Sequence, residues 1–469
     1  MQSQPVGIQD FGICLPKQYL PIEALAEKRN IEVAKLQKGL GLMKMPICNS
    51  EEDVPYLAAN AIIDLMESQI AQGNFPNANS FFDSVDKIYL GTESAVDAAK
   101  PTITYALEIL QSHLNYSFEH IDFLDMTFAC IGGIDALHQC LDYVRLRPNR
   151  TCIVVAADKA VYDQNTGGEY TQGAGAVAFL LSSKPDLIEF TGEVGVAIKH
   201  DFDFYKPKRH FRKIDVIDSL LNRLGIDKTA VDSNKYDQLL EANRVLKKET
   251  LEGWVEDFWD LPGDFIPVQR DEPIYDGQFS NSCYEERVGA AVEDFVSKNN
   301  LNTLPDVEQW IFHLPYAYQG RRMAVKIWWE KALEGNQELK NQIIAEYGNP
   351  ESYDSTAYAQ WLKAVSKSQA YLEFVGSAIA PTDRISSDVG NLYTASIFMA
   401  FLSGIAHSER TLEGKSALFL AYGSGSKSKV FMGNYGNQAN PLEVARRLQY
   451  HLSKRVAIDF VAYEKLKLG

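Results

Sequence analysis

Alternating strand and helix signals, run through twice, predict an α/β fold for this chain of 469 residues. Three observations carry that expectation. The length exceeds what one small core holds, so two domains or one large duplicated α/β unit follows. Short apolar runs recur, each ending in glycine or a polar residue and followed by apolar residues at helical spacing. TCIVVAADKA, at 151–160, is apolar almost throughout, as a strand covered on both faces requires.

Taken in order, VGIQDFGICL (6–15) reads as a first strand. Pro21 to Leu40 reads as a helical segment ending in the glycine-rich KGLGL. Pro55 to Met66 is a second helix, because Leu57, Ala61 and Leu65 share a face. IYLGTES is a short strand entering a turn, with Glu93 just past the glycine that breaks it, and Ala98 to Leu110 is helical.

TFACIGG, Thr127 to Gly133, places Cys130 between a strand-like run (Ile121, Phe123, Phe128) and a helix (Ile134, Leu137, Leu141, Val144). Gly132 and Gly133 allow backbone to approach closely. A thiol at the first turn of a helix feels the positive end of the macrodipole, which lowers its pKa and favours the nucleophilic thiolate. Alone, such a cysteine more often fills core.

The 151–160 strand ends at Asp158, where polar residues commonly face the ligand crevice of an α/β sheet. NTGGEYTQGAGAVAFLLS begins as a glycine-rich loop and ends as a buried strand; it matches neither phosphate-binding fingerprint. Residues 208–266 are charged, with helical spacing at Val216, Leu220, Leu224 and again at Leu239, Leu240, Leu246, and read as a surface helical insertion. A helix follows from Glu285 to Phe295, then the strand WIFHLPY carrying His313. Residues 330–372 are helical and polar, broken near Gly348 and Pro350. Asn391 stands ahead of an apolar helix, a place where asparagine serves as an N-cap. SALFLAYGSGS closes the core with a strand and a loop containing Ser424.

Hydrophobic residues at 46% and charged residues at 23% are ordinary for a globular enzyme. The net charge of −16 argues against a nucleic-acid surface, so an anionic ligand needs a local basic pocket. Six scattered cysteines, without CxxC or paired spacing, suggest neither zinc nor a disulfide framework and fit a reducing cytoplasm. No run approaches the ~20 apolar residues of a membrane span, and the first residues do not resemble a secretory leader.

Glu93 in GTES, Cys130 in TFACIGG, His313 in FHLPY and Asn391 in VGNLYT stand in an order that resembles the 3-hydroxy-3-methylglutaryl-CoA synthase family of the thiolase superfamily. AADKAVY, TGGEYTQGAGAVA, FDFYKP, PIYDGQFSNSCY and AYGSGS extend the likeness over about residues 88–434. The resemblance implies a thiolase-like five-layer αβαβα fold of two similar halves, residues 1–186 with the nucleophile and 187–469 with the histidine, asparagine and the 208–266 insertion. It implies a homodimer and, for the mevalonate pathway of isoprenoid biosynthesis, a Claisen-type condensation of acetyl-CoA with acetoacetyl-CoA through an acetylated Cys130.

By the same resemblance Glu93 is the general base, His313 polarises the acetoacetyl carbonyl, and Asn391 fixes the second substrate. Asp158 and Asp203 tune the site, while Ser424 lies near the acyl group, its loop and Cys130 supplying an oxyanion hole. No metal or cofactor is implied. Two departures stand out: Ile131 follows the nucleophile where an aromatic residue is usual, and Tyr318 occupies the position, five after the histidine, where CoA-using members commonly carry lysine. Arg321 and Arg322 are then candidates for the CoA phosphates, as are Lys206, Lys208 and Arg209. An alternative member of the family would condense a ketoacyl chain held on acyl-carrier protein, as in polyketide β-branching. An initiating ketoacyl-ACP synthase would share Cys, His and Asn, but Glu93 argues against it. A catalytically dead scaffold would have lost Cys, His or Glu.

Overall fold

The computed structural model describes residues 4–230, 264–268 and 270–468. The chain divides into two compact units, Met1–Phe204 with Tyr275–Gly469, and Tyr205–Ile274.

The larger unit is organised by a nine-stranded mixed sheet. Its strands are β1 (Gly7–Cys14), β2 (Val85–Gly91), β3 (Asp122–Met126), β4 (Thr151–Lys159), β5 (Ala174–Ser182), β6 (Ile188–Ile198), β7 (Gln309–Phe312), β8 (Ser416–Gly423) and β9 (Lys427–Tyr435). Their order is β7-β8-β9-β6-β1-β5-β4-β2-β3. Two arms are recognisable. In the first, β2 runs parallel to β3 and β4, and the pairs β4/β5 and β5/β1 are antiparallel. In the second, β7 runs parallel to β8, and β8/β9 and β9/β6 are antiparallel. Within the sheet the arms join at β1 and β6, through Gly7↔Glu189 and Ile8↔Ile188.

Helices pack on both faces of each arm. The principal ones are α1 (Ile22–Lys28), α2 (Val54–Ala71), α3 (Gly132–Leu146), α4 (Gly277–Lys298), α5 (Gln319–Ile327), α6 (Ser396–Ala406) and α7 (Phe460–Leu468). β4 shows why its sequence is apolar throughout. Ile153, Val155 and Ala157 join the cluster with α2, while Cys152, Val154 and Ala156 join the cluster containing α3. α4 covers the second arm from outside, against β6, β8 and β9. Between the arms, Phe398 and Phe401 of α6 meet Phe179 of β5 and Phe419 of β8 at ring-centroid distances of 5.1 and 5.5 Å. These αβαβα layers are those implied by the resemblance.

Several element boundaries differ from the sequence expectation. The stretch Pro21 to Leu40 is not one helix: α1 stops at Lys28, Asn30 takes φ +54°, and a separate wide helical turn, Lys35–Leu40, ends at Gly41 with φ +77°. The helix expected from Ala98 begins only at Ile103, where Asp125 accepts its first free N–H at 3.0 Å. α4 starts eight residues earlier than Glu285 because Asp276 caps it, accepting the N–H groups of Gln278 and Phe279 at 2.9 and 3.0 Å.

In the smaller unit, Val216, Leu220 and Leu224 lie on a helix, Lys213–Leu224, closed by Gly225 at φ +67°. Arg209–Arg212 pairs antiparallel with Phe265–Val268, a strand pair that a purely helical insertion did not anticipate. Leu239, Leu240 and Leu246 lie outside the described residues.

Candidate active site

The junction between β3 and α3 brings Cys130 to the end of the sheet. Ala129 bends the chain at φ +39°, a conformation costly for a residue with a Cβ. α3 itself starts at Gly132 with Ile131 as its N-cap, so Cys130 sits one residue before the cap rather than within the first turn. The glycine pair is required by packing. A Cβ on Gly132 would come 2.5 Å from Met126 O, and one on Gly133 would come 2.9 Å from Phe398 Cε2. Gly91 is equally tight, its Cβ position lying 2.2 Å from Gly133 N. Three glycines thus let the helix start press against the ends of β2 and β3.

Cys130 is 8% exposed, and its thiol donates to Glu93 Oε2 at 3.7 Å. Glu93 is held from behind. Asp158, fully buried at the end of β4, accepts through Oδ1 from the Glu93 N–H, the Thr92 hydroxyl and the Ser94 hydroxyl, all at 2.9 Å. Its Oδ2 accepts from the Thr394 N–H at 3.0 Å and from the Thr394 hydroxyl. Burial raises the Asp158 carboxyl above the usual carboxylate range, and the donors from Thr394, Glu93 and Ser94 oppose that rise.

A cavity of about 630 Å³ opens over the thiol. Cys130, His313, Asn391 and Ser424 all line it. His313 lies immediately past β7 rather than within it. Its backbone N–H donates to Leu420 O at 3.2 Å, and the Tyr284 hydroxyl donates to its carbonyl at 2.6 Å. The ring is buried, and among the described residues nothing hydrogen-bonds its Nδ1. Desolvation pushes its pKa down from 6.5 to about 3, so the imidazole is neutral at physiological pH.

Asn391 does not cap α6, whose N-cap is Ala395. Its Oδ1 instead accepts from the Tyr393 N–H at 2.9 Å and the Ser396 hydroxyl at 3.1 Å, which leaves the amide nitrogen as the donor end in a cavity-lining side chain. Asp203, fully buried, accepts from Gly425 N–H and the Tyr422 hydroxyl at 2.8 Å and from the Ser280 hydroxyl at 3.2 Å. It anchors the loop bearing Ser424. Gly425 N–H is therefore committed to Asp203 and is not the loop donor for an oxyanion. Gly423 packs so closely on the cysteine turn that a Cβ there would lie 2.8 Å from Phe128 O.

Three sequence candidates thus occupy places other than a substrate-contacting wall. Asp158 and Asp203 stand behind the site as braces and are not among the cavity-lining residues. Arg321 is turned away, its guanidinium donating to both oxygens of the buried Asp383 at 2.5 and 2.9 Å and stacking 4.1 Å over the Tyr318 ring. Arg322, by contrast, lines the cavity, donates to Gly39 O at 2.7 Å, and has no ion pair with a carboxylate among the described residues. Lys206, Lys208 and Arg209 belong to the smaller unit.

The sequence reading missed the aromatic wall. Tyr162, Tyr170, Phe204, Tyr275, Tyr284, Tyr316, Tyr393 and Tyr422 all line the cavity. Their signal was present, since nearly every stretch carrying the family resemblance contains one of these rings. Burial raises the phenol pKa of Tyr162, Tyr284, Tyr393 and Tyr422, keeping them protonated. Among the described residues no cluster of three His, Cys, Asp or Glu side chains is arranged to hold a metal, and no helix is long and apolar enough to cross a membrane.

Comparison with known proteins places this geometry in a family. The N-terminal model of hydroxymethylglutaryl-coenzyme A synthase matches residues 2–186, and the C-terminal model matches residues 246–465. The chain is 27% identical over 440 residues to the hydroxymethylglutaryl-CoA synthase of Haloferax volcanii, covering 91% of this chain and 82% of that protein. It is 24% identical over 464 residues to that of Enterococcus faecalis, covering 98% and 91%. The fold is shared with MvaS solved in complex with 3-hydroxy-3-methylglutaryl coenzyme A (TM-score 0.72, 23% identity, 99% of this chain and 91% of that one). It is shared too with the curacin pathway HMG synthase (TM-score 0.69, 16% identity, 99% and 88%). With two family models spanning most of its length and full-length relatives of one name, the chain belongs to the hydroxymethylglutaryl-CoA synthase family of enzymes.

Proposed function

We propose that this enzyme condenses acetyl-CoA with acetoacetyl-CoA to give 3-hydroxy-3-methylglutaryl-CoA through an acetylated Cys130, as a cytoplasmic homodimer serving the mevalonate pathway. The observation that carries the reading is the 3.7 Å contact between the Cys130 thiol and Glu93 Oε2 at a cavity also lined by His313. Two anions so close are disfavoured, so the pair holds one proton between them. As the sulfur attacks the acetyl carbonyl, Glu93 takes that proton and passes it to the departing CoA thiolate, returning to its ionised form.

The carboxylate then faces the methyl group of the new thioester, whose protons the carbonyl acidifies. Glu93 removes one, and the resulting carbanion attacks the keto carbon of acetoacetyl-CoA. Charge accumulates on the former keto oxygen. His313, a neutral imidazole, donates a hydrogen bond there, and the protonated Glu93 supplies the proton that completes the hydroxyl. Asn391 orients the same substrate through its amide nitrogen. Water finally cleaves the Cys130 thioester, releasing the free carboxylate and regenerating the thiol. The nucleophile thus comes from residues 1–186, and the histidine and asparagine from 187–469.

Arg322 supports a CoA handle, being a cavity-lining cation without an acidic partner among the described residues. Acyl-carrier protein is the second reading, favoured by Tyr318 at the usual lysine position and by the engagement of Arg321 with Asp383. The test compares consumption of acetoacetyl-CoA with that of acetoacetyl-carrier protein; strong preference for the protein-bound substrate selects the second reading. For the covalent step, radiolabelled acetyl-CoA should mark Cys130 in the wild type and nothing in Cys130→Ala. Glu93→Ala should still become labelled, though more slowly for want of the proton acceptor, yet fail to condense. A wild type that takes no label removes the acetyl-enzyme.

A further inference from the structure

We infer that the C-terminal helix positions the second-substrate side of the site through a buried relay of Tyr463, Glu169 and Arg29. Tyr463 on α7 is fully buried, and its hydroxyl donates to Glu169 Oε1 at 3.0 Å. Arg29, just past α1, grips the same carboxylate through Nη2 at 2.8 Å and Nε at 2.9 Å. The Asn165 N–H adds a donor at 2.8 Å. Glu169 is 1% exposed, and these donors hold its carboxyl below the usual range against the desolvation that would raise it.

Glu169 opens a short helical turn, Glu169–Thr171, whose far side is the cavity wall. Gly168, Tyr170 and Thr171 all line the cavity. The turn is locked to Asn391, because the Asn391 N–H donates to Thr171 O at 2.8 Å. Gln172 pairs with Asn391 in an isolated parallel bridge. Gln172 is itself tied to the C-terminal helix: its Nε2 donates to the Tyr463 hydroxyl at 3.0 Å, and Lys467 Nζ donates to its Oε1 at 3.2 Å. Gly173 and Gly390 complete the fit. A Cβ on Gly173 would lie 2.3 Å from Val389 O, and one on Gly390 would lie 2.4 Å from Gln172 O. The two backbones cannot shift independently.

The relay therefore touches Asn391 and the Tyr170 wall. Tyr463 and Arg29 are positioning residues. Loss of the relay should impair capture of the acetoacetyl substrate while leaving acetylation of Cys130 intact. In that part the inference rests on the reading given under Proposed function.

Tyr463→Phe keeps the ring in its core and deletes only the hydroxyl. In the full-length enzyme it should raise KM for acetoacetyl-CoA about tenfold, the scale of a lost hydrogen bond to a charged group, with the amount of acetyl-Cys130 unchanged. Arg29→Lys, which keeps the charge but not the two-pronged grip, should act in the same direction. Hydrogen–deuterium exchange supplies a readout independent of substrate identity. Peptides covering 165–173 and 389–394 should exchange faster in Tyr463→Phe, with 151–159 unchanged. Wild-type exchange at both peptides overturns the relay, whatever the substrate. Faster exchange with unaltered KM, in an enzyme whose wild type does turn over acetoacetyl-CoA, overturns its role in capture. A wild type inactive on acetoacetyl-CoA counts against the proposed substrate instead, and the exchange result alone then decides the relay.

Discussion

Asp158 and Thr394 are 236 positions apart in sequence, yet the Thr394 N–H donates to Asp158 Oδ2 at 3.0 Å while Oδ1 of the same carboxylate takes the N–H of Glu93. One buried side chain thus fixes the loop of Glu93 relative to the loop that follows Asn391. Every partner around both oxygens is a donor. Asp158→Asn would turn an NH2 group against the Thr394 N–H, or with the amide reversed against the Glu93 N–H, backbone donors that cannot switch to accepting as the hydroxyls can. We expect kcat to fall about 10- to 100-fold, from the cost of unpaired buried donors, with the acetyl-labelled fraction of Cys130 retained. Steady-state rates and a labelling assay on the same sample check this.

Crowding at the start of α3 predicts a second effect. Gly133→Ala puts a methyl 2.9 Å from Phe398 Cε2 and 3.2 Å from Ala156 Cβ. Overpacking of this kind costs about 1–3 kcal/mol and should displace the cysteine turn, lowering both Tm and the rate of Cys130 acetylation. Gly376, where nothing lies within 4 Å of the Cβ position, is the control. Gly376→Ala should leave acetylation unchanged.

Two desolvated histidines, the buried His313 and the half-buried His138, set an acid limit on stability. Desolvation carries His138 and His313 from 6.5 to about 3. Between those values the unfolded chain binds the protons that the folded chain refuses. Stability is therefore full above about pH 6.5 and declines as pH falls toward 3, by about 1.4 kcal/mol per pH unit for each ring. Urea unfolding at pH 5 and pH 7 measures the difference, and His138→Gln should reduce it. Because His313 is already neutral, it should contribute no inflection near pH 6.5 to kcat.

The adjacent arginines should separate in their effects. Arg322→Ala removes a cavity-lining cation and is expected to raise KM for acetoacetyl-CoA, the proposed substrate, by about five- to tenfold, with little change in Tm. Arg321→Ala strands the buried Asp383, which is 1% exposed, and should cost about 2 kcal/mol of stability with KM nearly unaltered. Kinetics and thermal unfolding of the two variants, run in parallel, distinguish these roles.

Much of the architecture was readable because each half of the chain announces its strands through apolar runs, and β4 in particular could only be a strand covered twice. The ends of helices were less legible. α4 begins at Gly277 because of a capping aspartate that the apolar spacing did not register, and the break after Lys28 depends on Asn30 adopting positive φ. Within the site, Cys130, His313, Asn391 and Ser424 line one cavity, with Glu93 against the thiol. What residue type alone could not tell was which side of a wall a charge faces. Arg321 and Arg322 are neighbours of identical chemistry, and only tertiary packing turns one toward Asp383 and the other toward the cavity. Asp158 and Asp203 were likewise recognisable as important, but a carboxylate surrounded by donors from distant loops leaves no trace in local sequence.

Arg322 also bears on how a polyanion reaches the pocket. It and Asp276 are the charged side chains among the cavity-lining residues, in a chain carrying sixteen surplus negative charges. A nucleotide-bearing thioester, the substrate class proposed above, would approach a chain of like net charge, a repulsion that salt screens over a Debye length of about 8 Å at physiological ionic strength. Encounter should accelerate on adding salt, the reverse of the behaviour of enzymes that steer their ligands electrostatically, so that ionic strength becomes part of this catalyst's efficiency.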